Sequence, residues 1–339
     1  MRFVYFTDIH LGEGRDSVTG FERCLEKMLA HRPEVLVNGG DLGITPEAVA
    51  RYGQMTRDVG VPVLHSNGNH EMCSGYLPRE LAGTVHRSAD IGGVHFVVLD
   101  VVRYFEPTEE HRANWHVLAD EGLLEWLRED LAAVDRKTPL VVVSHVALST
   151  TFPLRMGQKA GMPFPTNEVA NAERVLDLLR PFERVATLHG HDHENSRHFV
   201  GDIEVMTTAA VAGAWWRNGL NSPNTHSREP QGYRLVEVGD GAITSRYMPY
   251  AADDEPAEYF VRRESGRRFV NVFDASPRTA VEAEGLGRLE PVDPLAASSV
   301  GLSTHFYELP PGFDRRFVEV EIVFEGGRRH EGVLSLRSG

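Results

Sequence analysis

Five short segments in the first two hundred residues each set metal-competent side chains just beyond an apolar run of strand length. They are Asp8-Ile9-His10 after Phe3 to Phe6, Gly39-Gly40-Asp41 after Val35 to Asn38, and Gly68-Asn69-His70-Glu71 after Val61 to Ser66. The fourth is His145 after Leu140 to Ser144, and the fifth is His189-Gly190-His191-Asp192-His193 after Val185 to Leu188. In an open α/β sheet, loops remote in sequence converge beyond the carboxyl ends of the strands, so these side chains can meet around one site. A single Asp after a strand is commonly a helix cap, and a single His is commonly a satisfied surface or half-buried group. Neither explanation accounts for five such strand ends together. Asp8 and His10 share a face if their segment stays extended, as do His191 and His193, because the strand period is two. Gly39, Gly40, Gly68 and Gly190 stand beside the candidates, where backbone has to turn tightly or pass close to a ligand.

The set contains two carboxylates, one amide oxygen and four histidines, with His70 in addition. No thiolate belongs to it, and the two cysteines, Cys24 and Cys73, exclude a disulfide scaffold, a Cys₄ zinc site and an iron–sulfur cluster. Imidazole with carboxylate suits Mn, Fe and Zn, whereas an all-oxygen shell would point to Mg or Ca. Seven ligands exceed one tetrahedral zinc and suit two ions sharing a bridging carboxylate. Two such ions, roughly 3.5–4 Å apart, bind a pair of phosphoryl oxygens and turn a bridging water into hydroxide. Hydrolysis of a phosphate ester follows as the expected chemistry.

The 339 residues allow one to three domains. Up to residue 195, strands alternate with helices: Phe21 to Leu29, Pro46 to Val59 with Thr45 as cap, one within Trp115 to Val134, and Glu168 to Leu179. Thr84 to Ser88 and Val94 to Leu99 read as strands flanking Gly92-Gly93. Beyond 195 the helical pattern ends, and His198 to Val200, Glu204 to Thr207, Tyr233 to Val238 and Ala242 to Tyr247 read as mostly antiparallel strands. A polar, proline-marked stretch at 248–257 suggests a boundary. After it come Phe269 to Phe273, Val281 to Ala283, Phe306 to Leu309, the alternating run Phe317 to Phe324, the Gly326-Gly327 turn and Gly332 to Leu336. The expected organisation is an α/β domain over 1–250 and a small all-β, sandwich-like domain over 257–339. The alternative is that the tail extends the first sheet.

A formal charge of −14 and the lack of a basic stripe argue against long nucleic acid as substrate. No apolar run is long enough to span a membrane, and the opening Phe3 to Phe6 is too short for a signal-peptide core. A cytoplasmic location is therefore expected.

The order Asp-x-His, Gly-Asp, Gly-Asn-His-Glu, His, Gly-His-x-His resembles the calcineurin-like metallophosphoesterase superfamily, over roughly residues 1–245. The resemblance implies a four-layer α/β/β/α sandwich with a dinuclear centre of Mn or Fe, with Zn as an alternative. It implies that Asp8, His10 and His193 hold one ion, that Asn69, His145 and His191 hold the other, and that Asp41 bridges them. His70 resembles the family's non-ligand histidine, which stabilises the phosphoryl oxygens and helps protonate the leaving oxygen. Glu71 either orients His70 or is an ordinary surface residue. Many members carry Asp or Asn three residues beyond the bridging Asp, where this chain has Ile44, so the support around the ligands is expected to differ. His189 and Asp192 are expected around the ligands, not among them. Gly213-Ala214-Trp215-Trp216, Gly232-Tyr233-Arg234 and the β-rich tail are similar to a bacterial subset with an extra C-terminal domain.

Two insertions flank the expected site. Ser149 to Thr166 carries Arg155 and Lys159 and is read either as a substrate lid offering a cation to phosphate or as a structural flap. Val102 to His116 carries Arg103, Tyr104, Phe105, His111 and Trp115 and suits a second wall. Neighbouring Trp215 and Trp216 point opposite ways in a strand, so one is a candidate stacking wall, with Arg217 as a phosphate contact; packing at a junction also explains the pair. The leading expectation is a metal-dependent phosphoesterase acting on a small or medium phosphorylated metabolite such as a nucleotide or nucleotide-sugar. Hydroxide from the dinuclear centre attacks, Asp41 and His70 serve catalysis, and phosphomonoesters are favoured over diesters. A protein phosphatase, an amidohydrolase and a ligand-binding scaffold on the same fold are the weaker alternatives.

Overall fold

Strand alternation dictates the layering. Phe3 and Tyr5 point to one side of the first strand and Val4 and Phe6 to the other, yet all four are fully buried. A sheet built from such strands needs cover on both faces. The computed structural model describes residues 1–13, 17–72, 86–105, 115–150, 152, 167–211, 229–239, 241–249, 255–262, 265–292 and 305–337. In chain order its elements begin with β1 (Arg2–Phe6), α1 (Ser17–Ala30), β2 (Val35–Asn38), α2 (Pro46–Arg57), β3 (Val63–His65) and α3 (Asn69–Met72). Next come β4 (Arg87–Ile91), β5 (Val94–Val98), β6 (Val102–Tyr104), β7 (Trp115–Val117), α4 (Glu121–Ala132), β8 (Leu140–Val143), α5 (Ala172–Leu179) and β9 (Val185–His189). They continue with β10 (Ser196–Val200), β11 (Ile203–Thr207), β12 (Gly232–Gly239), β13 (Ala242–Pro249), β14 (Ala257–Val261), β15 (Arg268–Val272) and β16 (Ala280–Ala283). The last are β17 (Gly287–Leu289), β18 (Phe306–Glu308), β19 (Phe317–Val323) and β20 (Arg329–Arg337).

The first sheet runs β13-β12-β1-β2-β3, with β1, β2 and β3 parallel. The second runs β10-β11-β9-β8-β5-β4, with β11, β9, β8 and β5 parallel. Phe3, Tyr5, Val35 and Val37 of the first sheet pack against Phe96, Val141, Val143 and Leu188 of the second. On the far side of the first sheet, Val4, Phe6 and Leu36 meet Phe21, Cys24 and Met28 of α1 and Val49 and Tyr52 of α2. On the far side of the second, Leu140 and Val142 meet Leu123 and Leu127 of α4 and Val175 and Leu179 of α5. Three apolar layers between four structural layers make the α/β/β/α sandwich.

Local chemistry sets several ends. Thr45 caps α2 by accepting from Ala48 N–H, with Pro46 in the first turn, and Asp120 caps α4 by accepting from Leu123 N–H. The helix expected from Glu168 starts later, at Ala172, because Asn171 is engaged with both backbone polar groups of Ala119. The strand expected at Thr84 to Ser88 runs instead from Arg87 to Ile91; residues 84 and 85 lie outside the described residues.

The C-terminal strands form one sheet in the order β17-β16-β19-β20-β14-β15-β18. Its two ends approach each other: Pro291 bridges to Tyr307, and Val292 N–H donates to the Phe306 carbonyl at 2.7 Å. The result is nearly a barrel, filled by Tyr259, Val270, Val281, Val320 and Ile322. A buried polar knot ties it to the sandwich. Arg234 of β12 donates to Asp274 Oδ1 at 2.6 Å, Arg197 of β10 lies 3.5 Å from the same oxygen, and Tyr247 N–H donates to Asp274 Oδ2 at 3.1 Å. Burial alone would raise the Asp274 pKa, but Arg197 and Arg234 outweigh it and hold the carboxyl below its usual range. Asn195 donates to the Phe273 carbonyl at 3.0 Å, and its own carbonyl lies 2.8 Å from His305 Nε2.

No helix among the described residues is long and apolar enough to cross a membrane. Asp274→Ala leaves the buried Arg234 guanidinium without its carboxylate, while Arg197 keeps its ion pair with Glu204, and is expected to cost about 3 kcal/mol, read as a lower urea midpoint. Because the Asp274 pKa is depressed, its contribution is present above the usual carboxylate pKa and fades as the pH falls through the acid range.

Candidate metal centre

The loops beyond β1, β2 and β9 adopt backbone that most side chains avoid. Asp8, His10, Asp41, His191 and His193 all have left-handed φ, between 49° and 69°, and among the described non-glycine residues only Arg32 joins them. The extended geometry that would have put Asp8 with His10, and His191 with His193, on one face is not the one adopted. Alternate residues converge because each turns through the left-handed region, a strained arrangement of the kind that clusters at functional sites.

These turns bring together two groups of donors that share Asp41, beside a third made of His10, Glu13 and His70. Asp8, His10, Asp41 and His193 form one, and Asp41, His145 and His191 the other, each with ligand atoms within 4.8 Å of one another. In the first, Asp8 Oδ1 lies 3.1 Å from His193 Nε2, and His10 Nε2 lies 3.8 Å from both Asp8 Oδ1 and Asp41 Oδ2. In the second, His145 Nε2 lies 3.3 Å from Asp41 Oδ2 and 3.1 Å from Asn69 Oδ1. His70 stands over the shared carboxylate with Nε2 3.8 Å from Asp41 Oδ2, while its N–H donates to Asp41 Oδ1 at 2.9 Å. Asp8, His10, Asp41 and His145 are at most 1% exposed.

The groups behind these residues fix their orientation. His145 Nδ1 faces the Gly39 carbonyl at 2.9 Å, which turns Nε2 inward. Thr7 donates to Asp8 Oδ2 at 2.6 Å. Glu13 Oε1 lies 3.0 Å from His70 Nδ1 and 3.3 Å from His10 Nδ1. Glu71 neither orients His70 nor sits on the surface. It is 1% exposed and accepts from the N–H groups of Gly68 (2.6 Å), Asp41 (3.2 Å), Leu42 and Gly43 (3.3 Å), lacing the two loops together. His189 faces away, 3.0 Å from the Ser144 carbonyl and 2.8 Å from Thr187 Oγ1. Asp192 accepts from Thr150 Oγ1 at 3.1 Å and from Asn167 Nδ2 at 2.8 Å, on the two flanks of the 149–166 insertion. Sequence reading did not find Glu13; its only signal was an acid three residues beyond His10, across a glycine of left-handed φ.

Burial works against every charge here, and the carboxylates prevail at two histidines. His145 is raised to about 10 by Asp41 and Asp8 against the cost of desolvation, and His70 to about 9 by Asp41 and Glu13. Asp8 falls to about 2 despite burial, because of His193 and His145. Burial and the neighbouring His145 charge push His191 down to about 3. Burial and the Asp41 charge push Glu71 up to about 7. Two buried carboxylates thus draw positive charge to one place, ringed by inward-turned nitrogens and the Asn69 amide oxygen. That donor set and field fit two transition-metal ions.

Trp115 of β7 meets the His191 ring edge-on, with centroids 5.6 Å apart, and pairs antiparallel with Tyr104 of β6, so Trp115 borders the centre; residues 106–114 of the second insertion lie outside the described residues. Arg155, Lys159, Trp215, Trp216, Arg217 and His111 lie outside the described residues.

A strand-end cluster of carboxylates and histidines on a doubly covered sandwich defines a metallophosphoesterase. The calcineurin-like phosphoesterase family model matches residues 1–195, and the chain belongs to that family. Among curated proteins, one component of the SbcCD nuclease of Staphylococcus saprophyticus is 20% identical over 286 residues, covering 74% of this chain and 69% of the relative. Among solved structures, a dimetal phosphatase from Danio rerio superposes with a TM-score of 0.54 at 16% identity, covering 73% of this chain and 95% of that one. Purple acid phosphatase from yellow lupin seeds gives 0.50 at 16% identity over 75% of this chain, which spans about half (52%) of the plant protein.

A side chain at position 68 would collide with the Asp41 carboxylate and stand 2.5 Å from its backbone nitrogen. Gly68→Ala is expected to lower metal content and reduce turnover by at least about 10-fold while the circular dichroism spectrum stays native.

Proposed function

We propose that Asp8, His10 and His193 hold one metal ion, that Asn69, His145 and His191 hold a second, and that Asp41 bridges the two. The reading rests above all on one observation: two separate donor groups share the Asp41 carboxylate. Mn or Fe is the preferred pair, with Zn as the alternative, because imidazole and carboxylate donors suit all three. Two bound ions would polarise the phosphoryl oxygens and lower the pKa of a water between them. The chain's own residues do the rest. Asp41 holds its charge at the midpoint of the site. His70 faces that charge and keeps a side chain that is 16% exposed, so it can donate a hydrogen bond to a phosphoryl oxygen and a proton to the leaving oxygen.

The substrate is a small or medium phosphorylated metabolite, a nucleotide or nucleotide-sugar being the class that suits the aromatic wall of Trp115 and Tyr104. Arg155, Lys159, Trp215, Trp216 and Arg217 belong to the same proposal as substrate contacts, as does the division into an enzymatic unit (1–250) and a C-terminal unit (257–339). Monoester hydrolysis is placed first. A diesterase is the second reading, favoured by the likeness to a nuclease component, while the net charge of −14 weighs against a long nucleic acid.

Turnover of Mn²⁺-loaded protein against phosphomonoesters, phosphodiesters, mononucleotides, cyclic nucleotides and nucleotide-sugars tests the reading, with Asp41→Asn as the blank. Asp41→Asn should lose at least roughly 10²-fold, and an unchanged rate would remove the bridging role. His70→Gln should slow turnover by about 10²-fold or more with both metals retained; loss of metal would place His70 among the ligands.

A further inference from the structure

Glu13 plays no part in the mechanism above, yet one of its oxygens touches two residues that do. Its Oε1 lies 3.0 Å from His70 Nδ1 and 3.3 Å from His10 Nδ1. The two rings stand edge to face with centroids 4.4 Å apart, and both turn their Nε2 atoms toward Asp41. The acid reaches this point through a tight turn in which Glu13 N–H donates to the His10 carbonyl at 3.0 Å, allowed by Gly12 at φ +83°. A carboxylate beside Nδ1 selects the tautomer that carries its proton there. It leaves neutral His10 with a lone pair at Nε2; in His70, which acts as an acid only as the imidazolium with both nitrogens protonated, it holds Nδ1–H and so sets the direction in which the Nε2 proton is presented.

We infer that Glu13 is the positioning residue for the leaving-group acid, and that it ties the orientation of His70 to that of the candidate ligand His10. The inference rests on the role proposed for His70. Its consequence is specific: without Glu13 the proton is poorly aimed, so the loss grows with the need of the leaving oxygen for a proton.

The test is a series of aryl phosphate esters of the bond type the enzyme cleaves, running from p-nitrophenol to weakly acidic phenols. Turnover at saturating Mn²⁺ is followed for wild type, Glu13→Gln, Glu13→Ala and His70→Ala, with metal content and circular dichroism recorded in parallel. Glu13→Ala should lose at most about 3-fold on the p-nitrophenyl ester and about 10²-fold on the least acidic phenol, in parallel with the steepening expected for His70→Ala. Glu13→Gln, which keeps the shape, should lie between it and wild type, and it stands in if the alanine variant does not fold. Weaker Mn²⁺ retention in both variants would reflect the contact with His10 and should saturate away. Steepening in His70→Ala with a uniform loss in the Glu13 variants overturns the inference and leaves the role of His70 standing. A parallel loss in all three overturns both.

Discussion

Asp41 carries negative charge where water is nearly excluded, and the rest of the centre is arranged around that charge. An isolated carboxylate so buried would be prohibitively costly. His145, His70 and His10 lower that cost from three sides, and the Asp41 pKa falls well below its usual value although burial pulls it upward. The backbone follows the same demand. Asp41 turns through left-handed φ, Gly68 leaves room for its carboxylate, and Glu71 grips the loops of both residues through four N–H groups. Removing any of these supports should move one carboxylate by a fraction of an ångström, and with it the midpoint of the site.

The sandwich explains how such strain is held. β1, β2, β8 and β9 are buried on both faces, so their carboxyl ends are anchored by two apolar layers while the loops beyond them bend unfavourably. The C-terminal barrel reaches the same region by a different route. Asn195, two residues beyond His193, is bonded to the Phe273 carbonyl and, through its own carbonyl, to His305, and the fully buried Arg234 joins Asp274 to the strand ends behind it. Strain at the metal loops is thus braced by packing on one side and by a polar junction on the other.

Much of the layout was legible from local pattern. Continuous apolar runs such as Phe3 to Phe6 pointed to the doubly buried strands, and polar residues just beyond them pointed to Asp8, His10, Asp41, Asn69, His145, His191 and His193, which the fold draws together. What escaped depends on partners brought together only by the fold. Glu13 meets His70 across 57 residues and Arg234 meets Asp274 across 40, and no spacing rule signals either pair. Glu71 was misjudged because a carboxylate beside a candidate histidine is read as its partner, whereas this one turns toward backbone N–H groups. The left-handed turns at Asp8 and His10 were hidden for a related reason: i, i+2 spacing brings side chains together in an extended strand, and here it does so in a different geometry. Barrel closure at Pro291 and Tyr307 depends on strands too short to announce their order.

The central claim, one carboxylate shared by two ions, is tested most directly by metal analysis and electron paramagnetic resonance of the protein reconstituted with Mn²⁺. The account predicts two ions per chain with the spectrum of an exchange-coupled pair about 3.5–4 Å apart, and loss of that coupling in Asp41→Asn. A single ion per chain, or the hyperfine pattern of isolated Mn²⁺ in the wild-type protein, would contradict it.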